Sequence, residues 1–242
     1  MDFQELVKYR RSSRWLFSKK PIPDADLRKI LEAARYAPTP HNSQPFEIIV
    51  VNDREVIKQV SEIGFSLDEK AVDGHFQWTR QTREDLVAKK DGVYMDALPK
   101  FVMDLKDNPQ LINDENFWKK AMELYAYLIQ SSACLVFILY AKKNPGIGPL
   151  AGLWGIISIG GVMQNIWLAA NDLGISVQVV SGQLMVPESA RKLREILGIP
   201  EHGYRLILIL RLGYEGKFGK YGTTMRRELH DFVHFNHFGN TR

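Results

Sequence analysis

The run Arg10-Arg11-Ser12-Ser13-Arg14 sets three guanidinium groups and two hydroxyls side by side with no carboxylate among them. A guanidinium fork offers two parallel N–H donors to phosphate oxygens, so this composition suits one bound phosphate better than an extended polyanion. A second basic pair, Arg226-Arg227, lies far away in the chain. Between them stand two stretches that hold polar groups on constrained backbone. In Pro38-Thr39-Pro40-His41-Asn42-Ser43-Gln44-Pro45 the prolines fix φ and remove amide donors. Thr39, His41, Asn42 and Gln44 are therefore held in a stiff loop with their polar groups available to a ligand. Ser181-Gly182 follows the apolar run Ile175 to Val180, at the end of an expected strand. Arginines for phosphate, donors for the polar edge of a flat ring and apolar walls for its faces together describe a pocket for an anionic aromatic cofactor.

Other chemical patterns in the chain are weaker. His230, His234 and His237 have i, i+4, i+7 spacing, and His230-Asp231-Phe232-Val233-His234 differs from a zinc-protease helix by Asp in place of Glu. With phenylalanines beside them these histidines read as packing groups, and no metal is expected. The glycines 146, 148 and 152 have the wrong spacing for a dinucleotide loop and read as a turn. Ser181 lacks the flanking glycines of a nucleophile elbow, and no catalytic side chain is assigned. Cys134 is the only cysteine and lies in an apolar run, which excludes an internal disulfide and predicts a buried, inert thiol in a cytoplasmic protein. The first residues carry no cationic stretch followed by an apolar one, so no secretory signal is expected. Thirty-two Lys plus Arg against twenty-eight Asp plus Glu leave +4, and the signs alternate along most of the chain, a solvated surface and no nucleic-acid footprint.

These groups must be positioned by elements that the apolar pattern outlines. Phe3, Leu6 and Val7 predict a short helix ending in the basic cluster, and Leu27, Ile30, Leu31 and Ala34 predict a helix that opens near Asp24. That helix runs into the proline loop, where neither helix nor strand ladder is expected, and a strand follows at Ile48 to Val51. A helix from about Glu55 to Ile63 comes next, then a charged helical excursion over 66–116. Phe117 to Gln130 reads as a helix and Cys134 to Ala141 as a buried strand. From Asn144 to Asn171 no residue is charged, and Leu150 to Ala170 has the length of a membrane span, about 20 residues. Gln164, Asn165 and Gly160-Gly161 disfavour a span and predict instead a helix buried all round, partly against a second subunit. Strands at Ile175 to Val180 and Tyr204 to Leu212, with a helix at Pro187 to Leu197 between them, lead into a loop at Gly213 to Gly222 and an aromatic tail expected to pack on a surface.

The stretches Arg10-Arg11-Ser12-Ser13-Arg14, Pro21-Ile22, Leu27 to Ala34 and Ala37-Pro38-Thr39-Pro40-His41-Asn42-Ser43-Gln44-Pro45-Phe46 resemble the amino-terminal signature of the FMN-dependent nitroreductase family. Gln164-Asn165, Leu168 to Ala170 and Leu173-Gly174-Ile175 resemble its central helix and the turn after it, and Leu212-Gly213-Tyr214 with Arg226-Arg227 its carboxy-terminal part. The resemblance implies an α+β fold, a central mixed β-sheet flanked by helices, with a long central helix at a homodimer interface. It implies one domain over 1–242 with the excursion at 66–116 and a tail, 223–242, packed on the partner subunit. Carried onto this chain, Arg10, Arg11, Ser12 and Arg14 bind the FMN phosphate and pyrimidine edge; Pro38, Thr39, Pro40 and Asn42 approach the flavin from the other subunit, with Gln44 supporting that loop. Ser181 and Gly182 set backbone donors near the ring's reactive edge, and Arg226, with Arg227, pairs with the phosphate. Thr39, Pro40, Phe46, Ser158 and Thr224 depart from the residues usual in the family. The implied activity is a ping-pong oxidoreductase using NADH or NADPH and a small-molecule acceptor: a nitroaromatic, a quinone, or an enone or halogenated aromatic. A flavin storage or sensor protein without turnover is the alternative, and neither nucleic acid nor membrane is expected as a partner.

Overall fold

A computed structural model describes residues 1–143, 147–216 and 225–241. In chain order its elements are α1 (Phe3–Tyr9), β1 (Phe17–Ser18), α2 (Asp24–Arg35), β2 (Phe46–Val51), α3 (Arg54–Ser61), α4 (Glu69–Gln77), β3 (Thr79–Arg80), α5 (Arg83–Lys89), β4 (Val93–Tyr94), α6 (Lys100–Asp107), α7 (Glu115–Gln130), β5 (Cys134–Ala141), α8 (Ala151–Asp172), β6 (Ser176–Val180), α9 (Gly182–Met185), α10 (Pro187–Ile196) and β7 (Tyr204–Glu215). Met1–Ser66 and Lys120–Gly219 form one compact unit, Leu67–Lys119 and Lys220–Arg242 another.

The first unit is built on a sheet in which β2, β5 and β7 are neighbours in that order and β1 and β6 also pair with β7. Every residue of β5 is buried, which is why its sequence is a near-continuous apolar run. Its side chains nonetheless divide by a period of two between two clusters. Cys134, Val136, Ile138 and Tyr140 face a cluster with Ile30 and Ala34 of α2 and Ile159, Val162 and Ile166 of α8. Leu135, Phe137 and Leu139 face the opposite cluster with Ile57, Val60, Ile129 and Leu193. β5 and β6 run in the same direction on either side of a third strand, because β7 lies between them and pairs antiparallel with both. The parallel component of the expected mixed sheet is thereby reduced, in this unit, to the bridge Ser12↔Val177.

Within this chain helix α8 is buried along one stripe, Gly155, Ser158, Ile159, Val162, Ile166, Trp167 and Ala170. Leu153, Trp154, Ile156 and Ile157 are exposed on its other side, since the sheet and α2 can cover only one face of a helix. Long and apolar enough for a membrane by composition, α8 is the helix that roofs this sheet. One expectation is corrected: β7 continues through Gly213 to Glu215, where Phe17 and Ser18 of β1 extend the ladder. Gly213 belongs in that strand because a Cβ there would stand 2.7 Å from the Phe17 ring. Most of the expected loop, with Thr224, lies outside the described residues, as does Gly146.

In the second unit α4, α5 and α6 are joined by the two-residue ladder of β3 and β4, in keeping with a helical excursion. Lys90 stands 3.9 Å from Glu228 and 3.8 Å from Asp231 of the tail. Among the described residues the tail forms one short turn at Leu229–Asp231, and His234 packs on Phe238. No cluster of metal ligands occurs among the described residues.

Candidate functional site

The basic segment is fixed from both sides. Asp2 caps α1 through the Glu5 amide at 2.8 Å, and the helix ends as Arg10 turns extended. The Trp167 indole of α8 then donates to the Arg11 carbonyl at 3.1 Å, while the Arg10 guanidinium lies over the same ring at 4.8 Å. The Ser13 amide donates to the Val177 carbonyl of β6 at 3.0 Å. Further on, the Arg211 guanidinium of β7 donates to the Trp15 carbonyl, and the Phe17 amide donates to Ser131 Oγ at 3.1 Å. The Arg11 side chain folds back onto the carbonyls of Lys8 and Arg10. Between these pins Arg14 has no hydrogen-bond or ion-pair partner among the described residues. It is an exposed residue whose guanidinium is nonetheless lowered from its ordinary value by desolvation. The hydroxyl of Ser13 beside it is buried and unpartnered.

The proline loop leaves α2 and holds a single 3-10 turn at Pro40–Asn42, a helical element where none was expected. It is made possible by backbone in the left-handed region at His41 (φ 53°), Asn42 (φ 52°) and Gln44 (φ 44°). Three such residues so close together are held by local bonds. The Gln44 amide donates to Thr39 Oγ1 at 3.2 Å and its side-chain nitrogen to Asn42 Oδ1 at 3.1 Å. Gln44 thus bridges Thr39 and Asn42 within the loop. Pro38 packs where a Cβ on Gly161 of α8 would be 3.4 Å from its Cδ. Gly161 precedes Trp167 by six positions, about 9 Å along the axis and roughly 120° around it. The loop and the basic segment therefore flank the same helix on different faces.

Ser181 is exposed at the end of β6 and Gly182 opens the short helix α9, buried beneath the Phe65 ring so closely that a Cβ would clash with it. The backbone donor expected at Gly182 interacts with the Tyr125 phenol, whose hydroxyl donates to Gln183 Oε1 at 2.9 Å. Burial raises the Tyr125 phenol well above its usual range, and the nearby Arg211 charge opposes that rise. In the second unit, Arg226 donates to the Met225 carbonyl at 2.7 Å and Arg227 lies over the Phe232 ring at 5.2 Å.

Trp167 and Arg211 escaped the list of expected site residues. Trp167 was hidden in an apolar helix, where an indole reads as core. Arg211 did carry a signal, for it is the one charge in the run Leu206 to Leu212, inside a strand that should tolerate none.

The family model described as "Nitroreductase family" matches residues 7–214, nearly the whole chain. The 4-nitrobenzoate reductase of a Nocardioides strain is 26% identical over 221 residues, covering 88% of this chain and 80% of that protein. The NADH dehydrogenase of Thermus thermophilus is 40% identical over 65 residues, 27% of this chain. The chain spans about a third of the length of the curated relatives it matches in Archaeoglobus fulgidus, Thermus thermophilus and Methanothermobacter thermautotrophicus: 33%, 31% and 32%. Among solved structures, the FMN- and NADPH-dependent nitroreductase of sphigopyxis sp. strain HMH superposes with a TM-score of 0.64 at 19% identity, covering 98% of this chain and all of that one. The NADPH:FMN oxidoreductase of Vibrio harveyi gives 0.60 at 19%, over 99% and 79%. A sheet roofed by a long apolar helix, a basic segment pinned to that helix, and a match over residues 7–214 make this chain a member of the nitroreductase family.

Proposed function

We propose that the protein is an FMN-dependent oxidoreductase that draws reducing equivalents from NADH or NADPH and passes them to a small-molecule acceptor. The observation that carries this reading is Arg14: a guanidinium with no hydrogen-bond or ion-pair partner among the described residues, in a segment whose backbone is held on both sides. A pre-positioned, unpaired guanidinium is a phosphate site waiting for its anion. The residues fit FMN further, since the Ser13 hydroxyl is buried without a partner and the proline loop presents Thr39, Asn42 and Gln44 on rigid backbone.

Arg10, Arg11, Ser12 and Arg14 hold the phosphate end and the pyrimidine edge. Pro38, Thr39, Pro40 and Asn42 line the ring from a second copy of the chain, and Gln44 keeps their loop closed. Ser181 offers its amide and hydroxyl toward the reactive edge, with Gly182 setting the turn. Bound FMN supplies two-electron hydride chemistry; the protein supplies orientation, exclusion of water and donors that favour an anionic ring. The nicotinamide and the acceptor use one opening in turn, a ping-pong order. Because the loop and the basic segment lie on different faces of α8, and because Leu153, Trp154 and Ile157 are uncovered, a homodimer across this helix completes each site. The 4-nitrobenzoate reductase, similar along most of its length, favours a nitroaromatic acceptor. A soluble, cytoplasmic enzyme is consistent with an α8 packed on its own sheet.

Anaerobic rapid mixing tests the reading. NADH or NADPH alone is expected to bleach the visible flavin band, and 4-nitrobenzoate added afterwards to restore it; a flavin that stays oxidised with both nucleotides contradicts the enzyme and leaves a storage protein.

A further inference from the structure

Arg211 is fully buried and has no ion-pair partner among the described residues. One guanidinium nitrogen donates to the Leu128 carbonyl at 2.6 Å and the other to the Trp15 carbonyl, while the plane lies over the Phe17 ring at 4.0 Å. Its Nε has no partner. Burying a lone cation is expensive, and replacing such groups by apolar ones often stabilises a fold. The groups it engages suggest what it does. Leu128 lies in the last turn of α7, where carbonyls lack helical partners and the helix dipole favours a cation. The same carbonyl accepts the Ser131 hydroxyl at 2.7 Å, and Ser131 in turn accepts the Phe17 amide at 3.1 Å. Trp15 and Phe17 are thus both tied to the end of α7, one through Arg211 and one through Ser131. On the other side of Arg14 the chain is tied to Val177 by the Ser13 amide. Arg14 stands on the short span between these anchors.

We infer that Arg211 is a positioning residue for phosphate recognition: it clamps the Trp15 carbonyl to the end of α7 and so fixes where the Arg14 guanidinium sits. The inference rests on the reading of Arg14 as a phosphate-binding group. Arg211 touches no ligand itself; its effect reaches the phosphate through one residue of backbone. Removing the fork frees Trp15, and Arg14 then samples positions of which only a fraction pair with the anion, so phosphate affinity falls in proportion to that fraction.

The test compares affinities for FMN and for riboflavin, which has the same ring and no phosphate, by fluorescence titration of protein stripped of flavin. The wild-type preference for FMN is expected to fall about tenfold or more in Arg14→Ala, the scale of a charge-assisted contact. In Arg211→Met it should fall several-fold with riboflavin affinity nearly unchanged, a split that general loosening of the fold does not produce. Adding Arg211→Met to Arg14→Ala should then leave the preference where Arg14→Ala put it. If the Met variant does not fold, Arg211→Lys serves, because it keeps the cation but not a planar fork spanning two carbonyls; a smaller fall in the same direction is expected. Wild-type preference in the folded Arg211 variants, with Arg14→Ala impaired, overturns the positioning role alone. Wild-type preference in Arg14→Ala overturns the phosphate reading and the inference with it.

Discussion

The indole N–H of Trp167 and the main-chain carbonyl of Arg11 meet at 3.1 Å, and this bond joins the helix that roofs the sheet to the segment proposed to bind phosphate. Trp167 is 4% exposed, so water cannot readily replace the donor. Trp167→Phe keeps a ring beneath Arg10 and removes the N–H. The variant is expected to lose about 1–2 kcal/mol of stability, the penalty for a stranded carbonyl, and to bind FMN several-fold more weakly. Urea unfolding and flavin titration measure the two effects.

The uncovered face of α8 gives a second prediction. Ile157 is 53% exposed within the chain, so Ile157→Glu should change the stability of an isolated chain by no more than about 0.5 kcal/mol. In a homodimer built on α8 the same substitution buries an unpaired carboxylate. Sedimentation should show wild-type dimers and variant monomers, with FMN occupancy falling in parallel.

In the proline loop, Asn42 has φ 52°, a region that asparagine and glycine tolerate and alanine does not. Asn42→Gly should be more stable than Asn42→Ala by about 1 kcal/mol. Equal urea midpoints for the two variants would mean that the loop does not hold this backbone in solution.

Cys134 predicts a pH dependence. Burial pushes its thiol up from about 9 to about 12. The folded chain therefore keeps a proton that the unfolded chain releases above about pH 9. Stability relative to Cys134→Ala is fully present below that pH and falls as pH rises toward 12, by about 1.4 kcal/mol per unit. Arg211, lowered to about 9, acts in the opposite direction over the same interval, and comparison with Cys134→Ala cancels it. Urea midpoints of the two proteins at pH 8, 9 and 10 check the sign.

Much of the fold was legible because its signals are local. Strand β5 occupies Cys134 to Ala141 as its apolar run indicates, and α2 opens at Asp24 after Pro23. What the sequence hid was tertiary. Gly213 reads as a loop residue until Phe17 is known to lie against it. At the site, the residue types in the Arg10 to Arg14 run announced phosphate chemistry, but that Arg14 is the arginine without a partner depends on Trp167, Val177 and Arg211, all distant in sequence. The positive φ angles behind the loop's 3-10 turn likewise could not be read from its prolines.

The most direct measurement is the visible absorption spectrum of the purified protein, with release and identification of any chromophore and titration of the stripped protein with FMN. The account predicts flavin bands that bleach under NADH or NADPH without oxygen, and one FMN released per chain. A colourless protein that also fails to take up added FMN would contradict it.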